Sequence, residues 1–357
     1  MINQYQINRI WCELREEIID LADQFLDRGL AQGTDVNKDL EHKLALHVNR
    51  RHCTLVSNCT DALYIALVSL KLPHGFRAAV PSLTWVSTAS AVCRAGGVPV
   101  FYDVDENYTI NVEQDFSDVD VIMAVDLLGN SCNWEELEKK CAGKYIINDS
   151  AQAFGTIHQG RSSLTRGIIS CVSFGPLKPL PSFGSGGALL TDNEELAREH
   201  KLLRLHYKRD NLDLETIHPN AIHSINSVMS SFEVSAVTVC LEHYKKWQER
   251  RVKIAEYYKS TLGLDSSYNT NQESNALYRF AMRHPKKQFI IDNMFNNGVQ
   301  VSGLYHPLYM EPRFKHYERK ECTLANKYSF QSFVIPNQHT LTDGEVETVA
   351  EKIKELL

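Results

Sequence analysis

Between residues 50 and 205 short apolar runs alternate with helical patterns: CTLVSN precedes DALYIALVSLK, AAVPS precedes TASAVCRAG, VDVIMAVDL precedes NWEELEKKCAG, and GALLTD precedes NEELAREHKLLRLH. PVFYDV, YIINDSAQ and GIISCVSFG add further strand-like runs. Runs that are apolar throughout suit strands buried on both faces, and a helix between successive strands is the crossover that parallel pairing needs. The alternation predicts an α/β fold, a largely parallel, doubly wound sheet with helices on both faces. Upstream, Leu14, Ile18, Leu21 and Phe25 at helical spacing predict a helix over 11–28, and a second follows over 38–48. Downstream of a polar stretch at 207–226, MSSFEVSAVTVCLEHYKKWQERRVKIAEYYKSTL reads as one long helix. After it ALYRFAMR and VQVSGLYHP alternate with KQFIIDNMFNNG and DGEVETVAEKIKELL, an α+β pattern. The expected organisation is a large α/β domain over 1–245 and a smaller C-terminal α+β domain over 246–357.

A net charge of -6 spread over 357 residues leaves no basic footprint for nucleic acid or an anionic membrane, so small-molecule chemistry is expected. The nine cysteines are odd in number and scattered, with no CxxC pair, which predicts reduced thiols and no metal site. MINQYQINRIWCELREEI shows no charged-then-apolar leader, and no apolar run approaches the ~20 residues that span a bilayer. A cytoplasmic protein is the expectation.

In an open parallel sheet, ligands collect where strands end and helices begin. Ser57, Asn58 and Thr60 stand at such a point, ahead of an apolar helix. They could serve as a plain helix cap, or the helix start could hold a phosphate. Trp85 lies at the next strand-to-helix crossing, where a tryptophan is ordinarily core but could stack on an aromatic ligand. Asp149 ends the strand YIIND, either as an exposed cap for the following turn or as a buried carboxylate facing a cation. Lys178 sits in SFGPLKPLPSFGSGG, between Pro176, Pro179 and Pro181, on a loop that is irregular but stiff.

A lysine for a Schiff base, a carboxylate for a pyridinium nitrogen, an aromatic face and phosphate donors are together the needs of pyridoxal phosphate. The chain resembles the DegT/DnrJ/EryC1/StrS aminotransferases, sugar aminotransferases of aspartate-aminotransferase-like (fold type I) architecture. The resemblance rests on SNCTDALYIAL, VPSLTWVSTASAV with AGGVPVFYDVD, INDSAQAFG, SFGPLK followed by GSGGALLTD, and INSVMSSFEVSAV, with further likeness in LYHPLYMEPRF. It implies a mostly parallel seven-stranded sheet, pyridoxal 5'-phosphate as cofactor, and a homodimer with shared active sites. Carried onto this sequence, it makes Lys178 the Schiff-base lysine and general acid/base, with Asp149 on the pyridinium nitrogen. Trp85 would stack on the ring and Gln152 would contact the ring hydroxyl. Cys59, Thr60 and Ser173 would hold the phosphate, and Asn226 would reach it from the other subunit. The implied reaction moves the amino group of glutamate, or glutamine, to a nucleotide-linked keto sugar such as a 4-keto-6-deoxyhexose. Residues 207–224 and the LYHP segment, with Tyr305 and His306, are candidate sugar-side contacts. Two departures bear on the substrate: Ser185 stands where the family carries an acidic residue, and Val228 where it carries arginine. Two other readings stay open. One is a sugar dehydratase, although that branch carries histidine at the lysine position; the other is a catalytically silent relative with a regulatory role.

Overall fold

The computed structural model describes residues 1–206, 219–267 and 271–357. Two helices come first, α1 (Ile7–Leu26) and α2 (Thr34–Val48), each starting about four residues before the expected point. Neither has a side-chain cap, so the sequence carries no start signal to read. Then come β1 (His52–Val56), α3 (Cys59–Ser69), β2 (Arg77–Pro81), α4 (Val86–Arg94), β3 (Val98–Tyr102), β4 (Val121–Val125), α5 (Trp134–Lys140) and β5 (Tyr145–Asp149). A small hairpin, β6 (Ile157–His158) and β7 (Arg161–Ser162), precedes β8 (Ile169–Ser173), β9 (Gly187–Thr191) and α6 (Glu194–Leu203). The C-terminal part holds β10 (Phe280–Arg283), α8 (Lys287–Asn296), β11 (Ser302–Gly303), α9 (Thr323–Gln331), β12 (Ser332–Ile335) and α10 (Asp343–Lys354), joined to the rest by α7 (Ser231–Leu262).

Seven strands form the main sheet in the order β1-β9-β8-β5-β4-β2-β3. β8, β5, β4, β2 and β3 are mutually parallel, whereas β9 runs antiparallel to both β8 and β1. The carboxyl ends of β1, β2, β4, β5 and β8 therefore open on one edge, and β9 begins there. Side-chain alternation sorts the strands between two layers. Val121, Met123 and Val125 of β4 join the core under α3 and α4, and Ile122 and Ala124 join a core with Trp134. At the other end of the sheet, Cys53 and Leu55 of β1 pack with α1, α2 and the first half of α7.

The long helix starts at a capping box: Ser230 Oγ accepts from the Glu233 amide, and the Glu233 carboxylate accepts from the Ser230 amide. Its residues up to Trp247 belong to the large-sheet core, and those from Ile254 to a separate C-terminal core. The amino terminus crosses that division: the Ile2 amide bonds to the Gly298 carbonyl, and Gln4 Nε2 to the Val334 carbonyl. Among the described residues, no helix is long and apolar enough to cross a membrane.

Candidate active site

At the carboxyl edge a cavity of about 130 Å³ is lined by residues from five strand ends, among them Asn58, Cys59, Thr60, Trp85, Val125, Asp149, Gln152, Ser173 and Lys178. Eight of the candidates named from the sequence thus meet in one place, although 119 positions separate Cys59 from Lys178.

Asp149 ends β5 and is buried, so the exposed-cap alternative is overturned. Thr88 Oγ1 donates to its Oδ2 at 2.8 Å, and the Ala151 amide to its Oδ1 at 3.2 Å. Burial pushes the Asp149 carboxyl above its ordinary value against the pull of these donors and of the Lys178 charge. Thr88, in the first turn of α4, is a partner the sequence reading missed, since nothing local links it to a residue 61 positions away.

Trp85 is the N-cap residue of α4, with extended backbone, and is 55% exposed. Its ordinary reading as core is therefore wrong. The turn between β2 and α4 aims the indole into the cleft, where its ring centre lies 5.8 Å from that of Tyr305.

On the opposite wall, Asn58 caps α3 by accepting from the Asp61 amide, which leaves the Cys59 and Thr60 amides without a helical acceptor. Thr60 Oγ1 donates to Ser87 Oγ at 2.9 Å, so the starts of α3 and α4 share a hydroxyl pair. Burial pushes the Cys59 thiol well up, which keeps it protonated; what this residue offers a ligand is its amide. Gly187 lets β9 approach: a Cβ there would stand 2.6 Å from the Cys59 nitrogen.

The Lys178 loop is stapled at both ends. The Phe174 amide bonds to the Gly186 carbonyl, and the Ser182 amide to the Phe174 carbonyl. Phe174 and Leu180 are buried, each contributing roughly 2 kcal/mol of apolar burial. Within this frame the Lys178 amide closes a turn on the Gly175 carbonyl, and Nζ lies 4.9 Å from the Tyr278 ring centre. Ser173 Oγ accepts from the Gly175 amide at 3.3 Å.

Gln152 is oriented by both ends of its amide. The Leu128 amide donates to Oε1 at 2.9 Å, and Nε2 donates to the Tyr305 hydroxyl at 3.2 Å. Tyr305, a sequence candidate, thus contacts the lining residues Gln152 and Trp85 without itself lining the cavity, its phenol pushed up to about 12 by burial and by Tyr278. His306 is exposed, with Nδ1 3.2 Å from Ser329 Oγ, and does not line the cavity. Asn226 is also exposed and outside this cavity. Beside it, Ser227 Oγ accepts from the Ser57 amide and Ser57 Oγ donates to the Val228 carbonyl, which fixes the segment to the approach of α3. Residues 207–218, part of the candidate sugar-side loop, lie outside the described residues. At the Ser185 departure a carboxylate is still near: Glu233 Oε1 accepts from the Ser185 amide at 2.9 Å.

A profile of the DegT/DnrJ/EryC1/StrS aminotransferase family matches residues 12–354. The chain belongs to that family. This aminotransferase is 27% identical over 363 residues to a pleiotropic regulatory protein of Geobacillus stearothermophilus, covering 96% of this chain and 95% of the relative. It is 25% identical over 324 residues to the UDP-2-acetamido-2-deoxy-3-oxo-D-glucuronate aminotransferase of Pseudomonas aeruginosa, 87% and 88% of the two chains. Among solved structures, DesV of S. venezuelae in complex with a ketimine intermediate superposes with a TM-score of 0.90 at 24% identity, over 98% of this aminotransferase and 97% of DesV. That likeness shows the shared fold.

Proposed function

We propose that this aminotransferase uses pyridoxal phosphate to move the amino group of L-glutamate, or glutamine, to a nucleotide-linked keto sugar, a 4-keto-6-deoxyhexose. It works as a cytoplasmic homodimer with shared active sites. The observation that carries the reading is a lysine and a buried carboxylate facing one cavity at the carboxyl edge of the sheet. A nucleotide-linked keto sugar as substrate class is carried over from the Pseudomonas relative, whose name gives a 3-oxo glucuronate; the 4-keto-6-deoxyhexose follows from the family resemblance.

The donor set suits the cofactor. Asp149 is a carboxylate whose charge burial disfavours, so a cationic ring nitrogen against it would relieve that cost. Trp85 presents an exposed indole face for a pyridine ring, and Gln152 a fixed amide for the ring hydroxyl. The Cys59 and Thr60 amides at the start of α3, with the Thr60 and Ser173 hydroxyls, would take the phosphate. Hydroxyl protons rotate, so the Thr60–Ser87 pair can turn toward an anion. Asn226 would reach that phosphate from the second copy of the chain, and Tyr305 and His306 would face the sugar.

When bound, the cofactor supplies an electron sink for the carbanion at the donor's Cα. Lys178 Nζ, as a neutral amine, would carry the proton from the donor's Cα to the cofactor carbon that bears the donor nitrogen, and the stapled loop would keep that amine in place. Asp149, as a carboxylate, would hold the proton on the ring nitrogen and so keep the sink open.

Incubating the purified enzyme with L-glutamate and a panel of nucleotide keto sugars tests this, with products read by mass and NMR. One amino sugar should form per 2-oxoglutarate released. Loss of water from a sugar without glutamate consumption, or no reaction across the panel, would contradict it.

A further inference from the structure

Just before β10, Arg279 is a cation that none of the roles above uses. Its guanidinium carbon lies 5.1 Å from the Tyr278 ring centre, 5.3 Å from that of Tyr5 and 5.7 Å from that of Tyr305. Three aromatic faces from distant parts of the chain hold this charge by its attraction to their π-electrons. Among the described residues no Asp or Glu forms an ion pair with it: burial apart, Tyr305, Tyr278 and Tyr5 act on its charge, and Tyr278 also hydrogen-bonds its side chain. Its Nε is buried and has no hydrogen-bond partner among the described residues. A guanidinium desolvated without a counter-ion is costly unless something pairs with it.

Its place relative to the cavity indicates what that partner is. Tyr278 is shared: Lys178 Nζ lies 4.9 Å from its ring centre and the Arg279 carbon 5.1 Å, which bounds their separation at about 10 Å. Tyr305 is shared too, since its hydroxyl accepts from Gln152 in the cavity wall. The guanidinium therefore lies within about 10 Å of the reacting amine, next to Tyr278 and Tyr305, which connect it to Lys178 and Gln152 of the cavity lining. An amino-acid donor whose nitrogen is held at that amine carries a carboxylate on the adjacent carbon, and glutamate carries a second a few bonds further. The planar guanidinium fork matches a carboxylate in two parallel hydrogen bonds.

We propose that Arg279, set in the Tyr5–Tyr278–Tyr305 cage, is the receptor for a carboxylate of the amino donor. This rests on the transamination reading above. The other anion such a substrate pair offers is the diphosphate of the nucleotide sugar, and the test separates the two.

Arg279→Gln and Arg279→Lys would be compared with the parent holoenzyme in steady-state kinetics, varying L-glutamate and the nucleotide sugar in turn. Calorimetric titration with 2-oxoglutarate, a dicarboxylate, would run alongside. Losing one charge-assisted pair should lower kcat/KM for glutamate about 30-fold or more in Arg279→Gln and weaken 2-oxoglutarate binding by a similar factor. The KM for the sugar should stay within about twofold, and the lysine variant should recover part of the loss. Unchanged glutamate kinetics, or a rise in the sugar KM instead, would overturn the proposal. So would equal 2-oxoglutarate binding by the parent and Arg279→Gln, or none by the parent. If the parent turns over no keto sugar, the transamination reading fails, while the 2-oxoglutarate titration still decides the role of Arg279.

Discussion

Asp149 is a carboxylate that the fold holds at a cost. Burial raises its pKa, and only one hydroxyl, one amide and the Lys178 charge work against that. The unfolded chain releases this proton at lower pH than the folded one, so the folded state is penalised at neutral pH. The penalty disappears as pH falls below the unfolded carboxyl value of about 4. Asp149→Asn should therefore raise the Tm of the cofactor-free protein by about 1–3 °C at pH 7 and leave it unchanged near pH 3. The same substitution should lower turnover at least about a hundredfold, because a neutral amide cannot hold a protonated ring nitrogen. Scanning calorimetry at the two pH values, with an activity assay, checks both halves. Sequence alone left Asp149 divided between exposed and buried, because Thr88, which decides it, comes from a different strand-helix unit. Trp85 was misread for a related reason. Whether an indole after a strand turns inward or toward a cleft depends on the turn, and Trp85 is an N-cap residue rather than part of the helix face.

The elements themselves were largely legible, since buried parallel strands are apolar runs and their crossover helices are periodic. The direction of β9 was not. GALLT reads like any buried strand, and only its pairing with β1 and β8 reveals that it runs backwards. That reversal brings GSGG to the cofactor edge and sets Gly187 against α3. We propose the domain division near 245 as a break in packing within a continuous helix, since α7 passes from one core to the other between Trp247 and Ile254. An ion pair spans that division: Arg9 of α1 grips Glu345 at the start of α10 through Nη1–Oε2 at 2.8 Å and Nη2–Oε1 at 2.6 Å. The Arg9 hydrogen bonds hold the Glu345 carboxyl down at about 2. A depressed carboxyl contributes stability above its unfolded value, and that stability is lost as pH falls through the folded value. Glu345→Gln should lower the Tm by about 1–3 °C at pH 7, with the difference closing toward pH 2. Thermal melts across that range measure it.

At the scale of the whole molecule, two buried imidazoles set the acid limit. Burial holds His200 down at about 3 and His339 at about 2, with His339 stacked 4.4 Å from the Trp247 ring. The unfolded chain takes up these protons near pH 6.5 and the folded chain does not. Stability is therefore full above that value and declines as pH falls, by about 1.4 kcal/mol per pH unit for each histidine. Urea unfolding between pH 7 and pH 5 should show the decline, and His339→Gln should make it shallower. The cage around Arg279 also belongs to this scale. Tyr5, Tyr278 and Tyr305 come from the amino terminus and two C-terminal segments, and no spacing rule brings them together. ALYRFAMR was read only as a strand, while β10 begins at Phe280, after the arginine.

Lys178 is the residue proposed to carry the cofactor. Borohydride reduction of the enzyme with pyridoxal phosphate, followed by peptide mass spectrometry, tests it most directly. A single stable adduct is expected on the peptide containing Lys178, and none in Lys178→Ala. An adduct on another lysine, or none at all, would contradict it.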